Sequence, residues 1–227
     1  MLISGFFLYN ELKEDNEQEK IFENLIEIAE ETEEEQEQEE DNINIANLYQ
    51  INRDIIGWVK IEGTNIDYPV MQTKNSPNYY LRRNFYKEYS VMGTPYLAEQ
   101  CDIQSSDNLI IYGHHISNNK MFGGLENYKQ EDYYKEHQII KFYTKEEKAE
   151  YEIIAVFKTV AYTGFKYYNY CNFKSESEFI AFINKCYDLA FYNTSKKAEY
   201  GDKLICLSTC EYSQTNGRLV VLARKIK

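Results

Sequence analysis

Near the C-terminus, the stretch "LICLSTCEYSQTNGRLVVLARK", Leu204 to Lys225, sets two apolar, β-branched runs on either side of a polar loop. Such a pair reads as two strands joined by a turn, and two strands alone are marginal in water. The chain must supply partners, and runs of the same kind recur upstream. They are "GWVKIEG", "NIDYPVMQ", "GTPYLAEQ", "DNLIIYGHHI", "QIIKFYT" and "AEYEIIAVFKTVAY". Gly63-Thr64 divides the first two, and Gly, Asn and Asp punctuate the others. No internal repeat is present. Many short strands with few helices predict a mostly β, α+β fold built on a closed or nearly closed antiparallel barrel.

Helical signals are fewer. Short helices are expected around Ile45–Asn52 and in "MFGGLENY", and "SPNYYLRRNF" reads as a loop or short helix. Residues 175–190 form the clearest amphipathic helix, with Ser175 as N-cap and Glu178 three residues later in a capping-box arrangement. Glu11 to Asp41 also reads as a helix, with Ile21, Phe22, Leu25, Ile26 and Ala29 as its apolar stripe. Beyond Ala29 the stripe gives way to "EETEEEQEQEEDN", which has no packing face.

The net charge of −12 would suggest a highly charged surface until it is mapped. Residues 11–41 carry −14 and the remainder +2, so the acidity belongs to one segment and the body shows no basic excess for nucleic acid. The expected organisation is a short apolar N-terminal segment (1–10), an acidic helical stalk or linker (11–42), and one catalytic body (43–227). "MLISGFFLYN" is too short to cross a membrane, which takes about 20 helical residues. It reads either as an ordinary terminal segment or as the outer end of a longer anchor.

The chemistry concentrates at strand ends. On Leu204–Cys210 the side chains of Cys206, Ser208 and Cys210 share one face, and Ile205 and Leu207 take the other, expected to be the core. Cys210 stands at the tip, where a substrate can reach it; Cys206 reads as filler. A thiol is mostly protonated at neutral pH, so a nucleophilic cysteine needs a base or a positive charge beside it. His114 follows Tyr112-Gly113 at the end of another strand, Arg218 opens the last strand, and His137 lies in a charged segment expected to be exposed. Arginine N–H groups suit a developing oxyanion. Cys, His and Arg at three strand ends point to acyl transfer. Five cysteines without a CxxC motif argue against a disulfide scaffold, although spacing alone leaves room for a single bridge. Neither a metal site nor a cofactor is expected, since adjacent His114 and His115 point to opposite faces and no paired Cys ligands accompany them.

From about Ile45 onward the chain resembles a sortase, most closely class B. The resemblance rests on "NRDIIGWVKIEGTNIDYPVMQ", "IYGHHI" and "LSTCEYSQTNGRLVVLAR". The family's Thr-Leu-x-Thr-Cys strand here reads Cys206-Leu207-Ser208-Thr209-Cys210, with cysteine in the first position. The interval from Cys210 to Arg218 is short for the family, which leaves Arg224 as the alternative arginine. The resemblance implies an eight-stranded sortase barrel with N-terminal helices and a helix before the cysteine strand. It also implies a membrane-anchored enzyme on the outer face of a Gram-positive-type cell, which favours the anchor reading of the N-terminus. Carried over, Cys210 attacks the Thr carbonyl of an LPxTG- or NPxTN-like sorting signal to give a thioacyl enzyme. His114, chosen over His115 because it directly follows the glycine, transfers protons, and Arg218 holds the oxyanion. Ser208, Thr209, Glu211, Tyr112 and Asn78 become substrate-pocket candidates. The implied partners are surface proteins bearing sorting signals, a peptidoglycan stem or cross-bridge amine, and the membrane. A pilin-polymerising sortase and a binding protein on an inactive sortase-like scaffold are the alternatives.

Overall fold

A computed structural model describes residues 2–30 and 43–227, with side chains from residue 16 in the first stretch. Eight strands follow the β-type runs: β1 (Ile55–Lys60), β2 (Asp67–Met71), β3 (Tyr96–Leu97), β4 (Asn108–Tyr112), β5 (Ile139–Tyr143), β6 (Lys148–Val160), β7 (Leu204–Glu211) and β8 (Gly217–Lys225). They close into one barrel in the order β1-β2-β3-β4-β7-β8-β6-β5, with β1 pairing β5. Closure leaves no long free edge. The core contains Trp58, Phe142, Ile153, Phe157, Leu207 and Val221, each at most 1% exposed. Each such side chain contributes about 1.5–3 kcal/mol by leaving water.

The barrel is mixed, not wholly antiparallel as the strand pattern alone suggested. β2 meets β3 in parallel at Met71 and Tyr96, and β4 runs parallel to β7 from Asn108–Leu204 to Tyr112–Ser208. Parallel neighbours need a long connection. Between β4 and β7 that connection includes β5, β6 and two helices, so local strand patterning could not reveal the pairing.

Four α-helices are described: α1 (Leu2–Glu30), α2 (Ile45–Ile51), α3 (Glu131–Glu136) and α4 (Glu176–Leu189). "NYYLRR" and "MFGGLENY" contribute 3-10 turns at Tyr79–Arg82 and Phe122–Lys129. In α4 the Ser175 Oγ accepts from the Glu178 N–H (3.3 Å). The Glu178 carboxylate reaches one residue further back than a standard capping box, to the Lys174 N–H (2.6 Å). Phe179, Phe182, Ile183 and Cys186 form its buried stripe. The helix α3 lies in "EDYYKEHQ", which sequence patterning left unassigned; it buries Tyr134 and uses its last turn to bond the His137 N–H.

Residues 16–30 of α1 are not a free stalk. Gln18, Phe22, Leu25 and Ala29, at helical spacing, are all buried. Phe22 packs edge-on against Tyr68 of β2, and Lys120 pairs with Glu19 at 2.8 Å. Gln18 donates to the Gly93 carbonyl and accepts from the Ser90 hydroxyl. This part of the expected 11–42 linker therefore packs with the body. The helix starts at Leu2, earlier than Glu11, and the rest of the acidic run, 31–42, lies outside the described residues. Among the described residues no helix is long and apolar enough to cross a membrane.

Candidate active site

The β7–β8 register sets the site. The two strands pair one to one from Leu204–Arg224 to Glu211–Gly217, which puts Arg218 directly opposite Cys210. Directly opposed residues in an antiparallel pair share a face, with Cβ atoms about 4.5–5.5 Å apart. The alternative arginine, Arg224, lies at the far end of the hairpin, bonded to Glu152 (3.2 Å) and near Asp202 (3.7 Å).

The third strand end is delivered by parallel pairing. Tyr112 of β4 lies beside Ser208 of β7, the Gly113 N–H donates to the Ser208 carbonyl (3.1 Å), and the Thr209 hydroxyl donates to the Gly113 carbonyl (2.8 Å). A Cβ on Gly113 would come within 2.6 Å of the Phe122 ring. Only glycine lets the chain leave β4 so close to that ring, and His114 follows immediately. His114, Cys210 and Arg218 line one cleft of about 490 Å³, together with Asn78, Tyr112, Ser208 and Thr209.

The His114 Nε2 lies 2.7 Å from the Leu81 carbonyl. A carbonyl only accepts, so Nε2 carries the proton and Nδ1 keeps its lone pair. Desolvation holds the His114 pKa below its ordinary 6.5 and nearby Arg82 depresses it further, while the Leu81 bond opposes both. At neutral pH the ring is therefore predominantly the neutral base. His115 faces away from this arrangement yet still touches the backbone of Cys210. Its Nδ1 donates to the Cys210 carbonyl (3.0 Å), and Tyr212 packs edge-on against its ring. His137 is spent on the Glu62 carbonyl and the Tyr133 ring, away from the cleft.

Both faces of β7 are buried up to its tip, so that not only the Ile205–Leu207 face expected in the core but also Ser208 is enclosed. Ile205, Cys206 and Leu207 are fully buried and Ser208 is 1% exposed, whereas Cys210 is half-buried. The segment 165–173 covers the Cys206–Ser208 face, where the Tyr167 hydroxyl bonds the Ser208 Oγ at 2.5 Å. That cover ends at Cys210. Burial pushes the Cys206 thiol up to about 12, which suits a packing residue and not a nucleophile.

Two pocket candidates read differently in three dimensions. Asn78, in left-handed backbone, accepts from the Tyr96 hydroxyl (2.8 Å) at the cleft wall. Glu211 does not line the cleft. It is 2% exposed and points to the other side of β7, where Lys129 pairs with it at 2.7 Å and the Ser213 N–H and hydroxyl bond its second oxygen. These bonds hold its pKa below the ordinary carboxylate value against the cost of desolvation. Glu211 thus braces the turn between Cys210 and Arg218. Neither Leu81, which acts through its main chain, nor Tyr167, one of several tyrosines in an aromatic-rich loop, carries a signal in the sequence. Among the described residues no cluster of His, Cys, Asp and Glu could hold a metal ion.

The sequence matches the family model described as "Sortase domain" over residues 59–226. The chain belongs to the sortase family. It is 33% identical to sortase B of Staphylococcus aureus over 184 residues, covering 80% of this chain and 74% of the relative. It is 31% identical to sortase B of Listeria monocytogenes over 185 residues, with the same two shares. Among solved structures, the B. anthracis sortase B complexed with AAEK1 superposes with a TM-score of 0.81 at 30% identity, covering 95% of this chain and 99% of that one. A Staphylococcus aureus sortase B–substrate complex gives a TM-score of 0.74 at 32% identity, covering 80% and 84%. The eight-stranded barrel with its helices is thus the class B sortase fold, and the chain is a cysteine transpeptidase of that family. Sortases B are associated with the cell envelope and act on sorting-signal substrates.

Proposed function

We propose that this sortase cleaves an LPxTG- or NPxTN-like sorting signal after its Thr and joins the new C-terminus to an amine of a peptidoglycan stem or cross-bridge. The observation that carries the reading is the single cleft shared by a half-buried thiol, a neutral imidazole with a free Nδ1 and an arginine opposite the thiol. Transfer to imidazole makes the Cys210 sulfur a thiolate, which attacks the Thr carbonyl carbon. The Arg218 guanidinium donates to the resulting oxyanion, where charge develops only during reaction. As the C–N bond breaks, His114 returns the proton to the leaving amine and a thioacyl enzyme remains. The incoming amine then gives a proton to His114, attacks the thioester carbonyl and expels the Cys210 thiolate.

Cys210 and His114 thus work as one coupled pair that holds a single proton in its reactive form. Ser208, Thr209, Tyr112 and Asn78 shape the pocket, Tyr167 fixes Ser208, and Glu211 positions the turn. Surface proteins carrying the signal are the donor substrates, and the enzyme works on the outer face of the membrane, held there by an N-terminal anchor.

Mass spectrometry of Cys210 after incubation with a panel of sorting peptides tests nucleophile and motif together. The expected result is an acyl adduct on Cys210 equal in mass to the fragment ending in Thr less one water, discharged when an oligoglycine or diaminopimelate-bearing peptide is added. An adduct on another cysteine, or none with any peptide of the panel, would overturn the reading.

A further inference from the structure

Four of the five cysteines play no part in this chemistry, and two of them meet where the wall of the cleft is held together. Cys101 closes the turn that follows Glu99 and Gln100. Cys171 closes the segment that carries Tyr167 and Tyr168. All four of these neighbours line the cleft. The two segments lie about 70 residues apart in sequence and converge on Asn108 at the start of β4. The Asn108 N–H donates to the Cys171 carbonyl (2.9 Å), and the Asn108 carbonyl lies 3.5 Å from the Cys101 sulfur. One further link already ties the walls, from the Gln100 amide to the Tyr168 carbonyl (3.0 Å). The two thiols lie near enough for the charge of one to act on the other. Cys171, 5% exposed, is the outer of the two, and Cys101 is 1% exposed.

We propose that Cys101 and Cys171 form a dithiol–disulfide site, a covalent clip between the two segments that wall the cleft. The co-reactant is a low-molecular-weight disulfide, RSSR. The Cys171 thiolate attacks one of its sulfurs, and the departing RS⁻ takes up the proton that Cys171 lost. Cys101 then gives up its proton and displaces the second RS⁻, which that proton converts to RSH. The protein loses two electrons and two protons, RSSR gains both, and two RSH result.

The electrostatics of the pair suit this order of events. The neighbouring Cys101 holds the Cys171 thiol below its ordinary value, and Cys171 together with burial pushes Cys101 up. The other cysteines do not compete on equal terms. Burial raises Cys186 and Cys206, and both lie deeper than Cys171. The cluster is not a metal site, since the described residues hold no group of ligands that could take one.

The test uses the full chain with Cys210→Ala, which removes the cleft thiol as a competitor and leaves four cysteines. The protein is reduced, transferred to an oxidising glutathione buffer, alkylated under denaturing conditions and mapped without reduction. The expected result is two alkylated thiols, Cys186 and Cys206, and one cross-linked peptide pair joining Cys101 to Cys171. Oxidation should raise Tm by roughly 5 °C or more, as expected for closing a long loop in the unfolded chain. It should also slow amide exchange in residues 98–101 and 166–171. In Cys101→Ser and Cys171→Ser, verified as folded by circular dichroism, oxidation should leave Tm unchanged. Four alkylated thiols after oxidation, or a bridge between any other pair, would overturn the proposal.

Discussion

Arg218 and Arg224 lie on the same strand, six residues apart and on the same face, and the barrel treats them in opposite ways. Arg224 is neutralised by Glu152 and Asp202, and Lys196 joins the same cluster through Glu152. Among the described residues Arg218 donates only to the adjacent Gly217 carbonyl, and no carboxylate pairs with it. Its remaining N–H groups are free to meet charge that arrives with a substrate. The difference teaches that the surroundings, and not the residue type, distinguish the arginine proposed to meet the substrate. An ion pair neutralises the guanidinium in the resting state. A cleft that withholds one keeps its field available for the transition state.

The comparison can be broken or sharpened experimentally. Cys210→Ala should abolish sorting-peptide cleavage, a loss of at least about 10³-fold, while Cys206→Ala should retain most activity and lose Tm; the reverse pattern would show that the wrong end of β7 was chosen. Arg218→Lys keeps the charge and removes the planar fork, and kcat should fall about 10²–10³-fold with an unchanged circular dichroism spectrum. Tyr167→Phe strands the Ser208 hydroxyl and should cost about 1–2 kcal/mol in thermal or denaturant unfolding and a few-fold in kcat/KM.

The pH profile tests the arginine whose charge acts on His114. His114 titrates below 6.5, so the acid limb of kcat/KM should lie below that value. Arg82 helps to depress it, so Arg82→Gln should move the limb to higher pH, and added salt should shrink the difference. A limb that moved lower, or stayed put at low salt, would exclude His114 as the titrating base. The smallest effect is expected at the far end of the hairpin. Arg224→Met should leave kcat/KM within about twofold and lower stability by about 1 kcal/mol, because Glu152 keeps Lys196.

Much of this was legible in the sequence because it was local. The alternation of Leu204–Cys210, the Gly-His exit after "NLIIY" and the opening Arg218 are all short-range signals. The capped helix at 175–190 is another, and the barrel follows from their sum. What escaped detection was non-local. The parallel β4–β7 pairing, the docking of residues 16–30 and the bonds that turn Glu211 away from the cleft depend on segments distant in sequence. The choice between Arg218 and Arg224 was also non-local, since the register that decides it is fixed by the turn that Glu211 braces.

The histidine is oriented by an amide oxygen of the polypeptide itself. No exchange of side chain at position 81 can delete that acceptor, and no change of pH in the working range can protonate it. A scan of single substitutions would read position 81 through its packing at the cleft and not through the acceptor it supplies. What the acceptor demands is the trace of that loop, and Gly93, whose missing Cβ leaves room against the Leu81 oxygen, is one of the residues that keeps it.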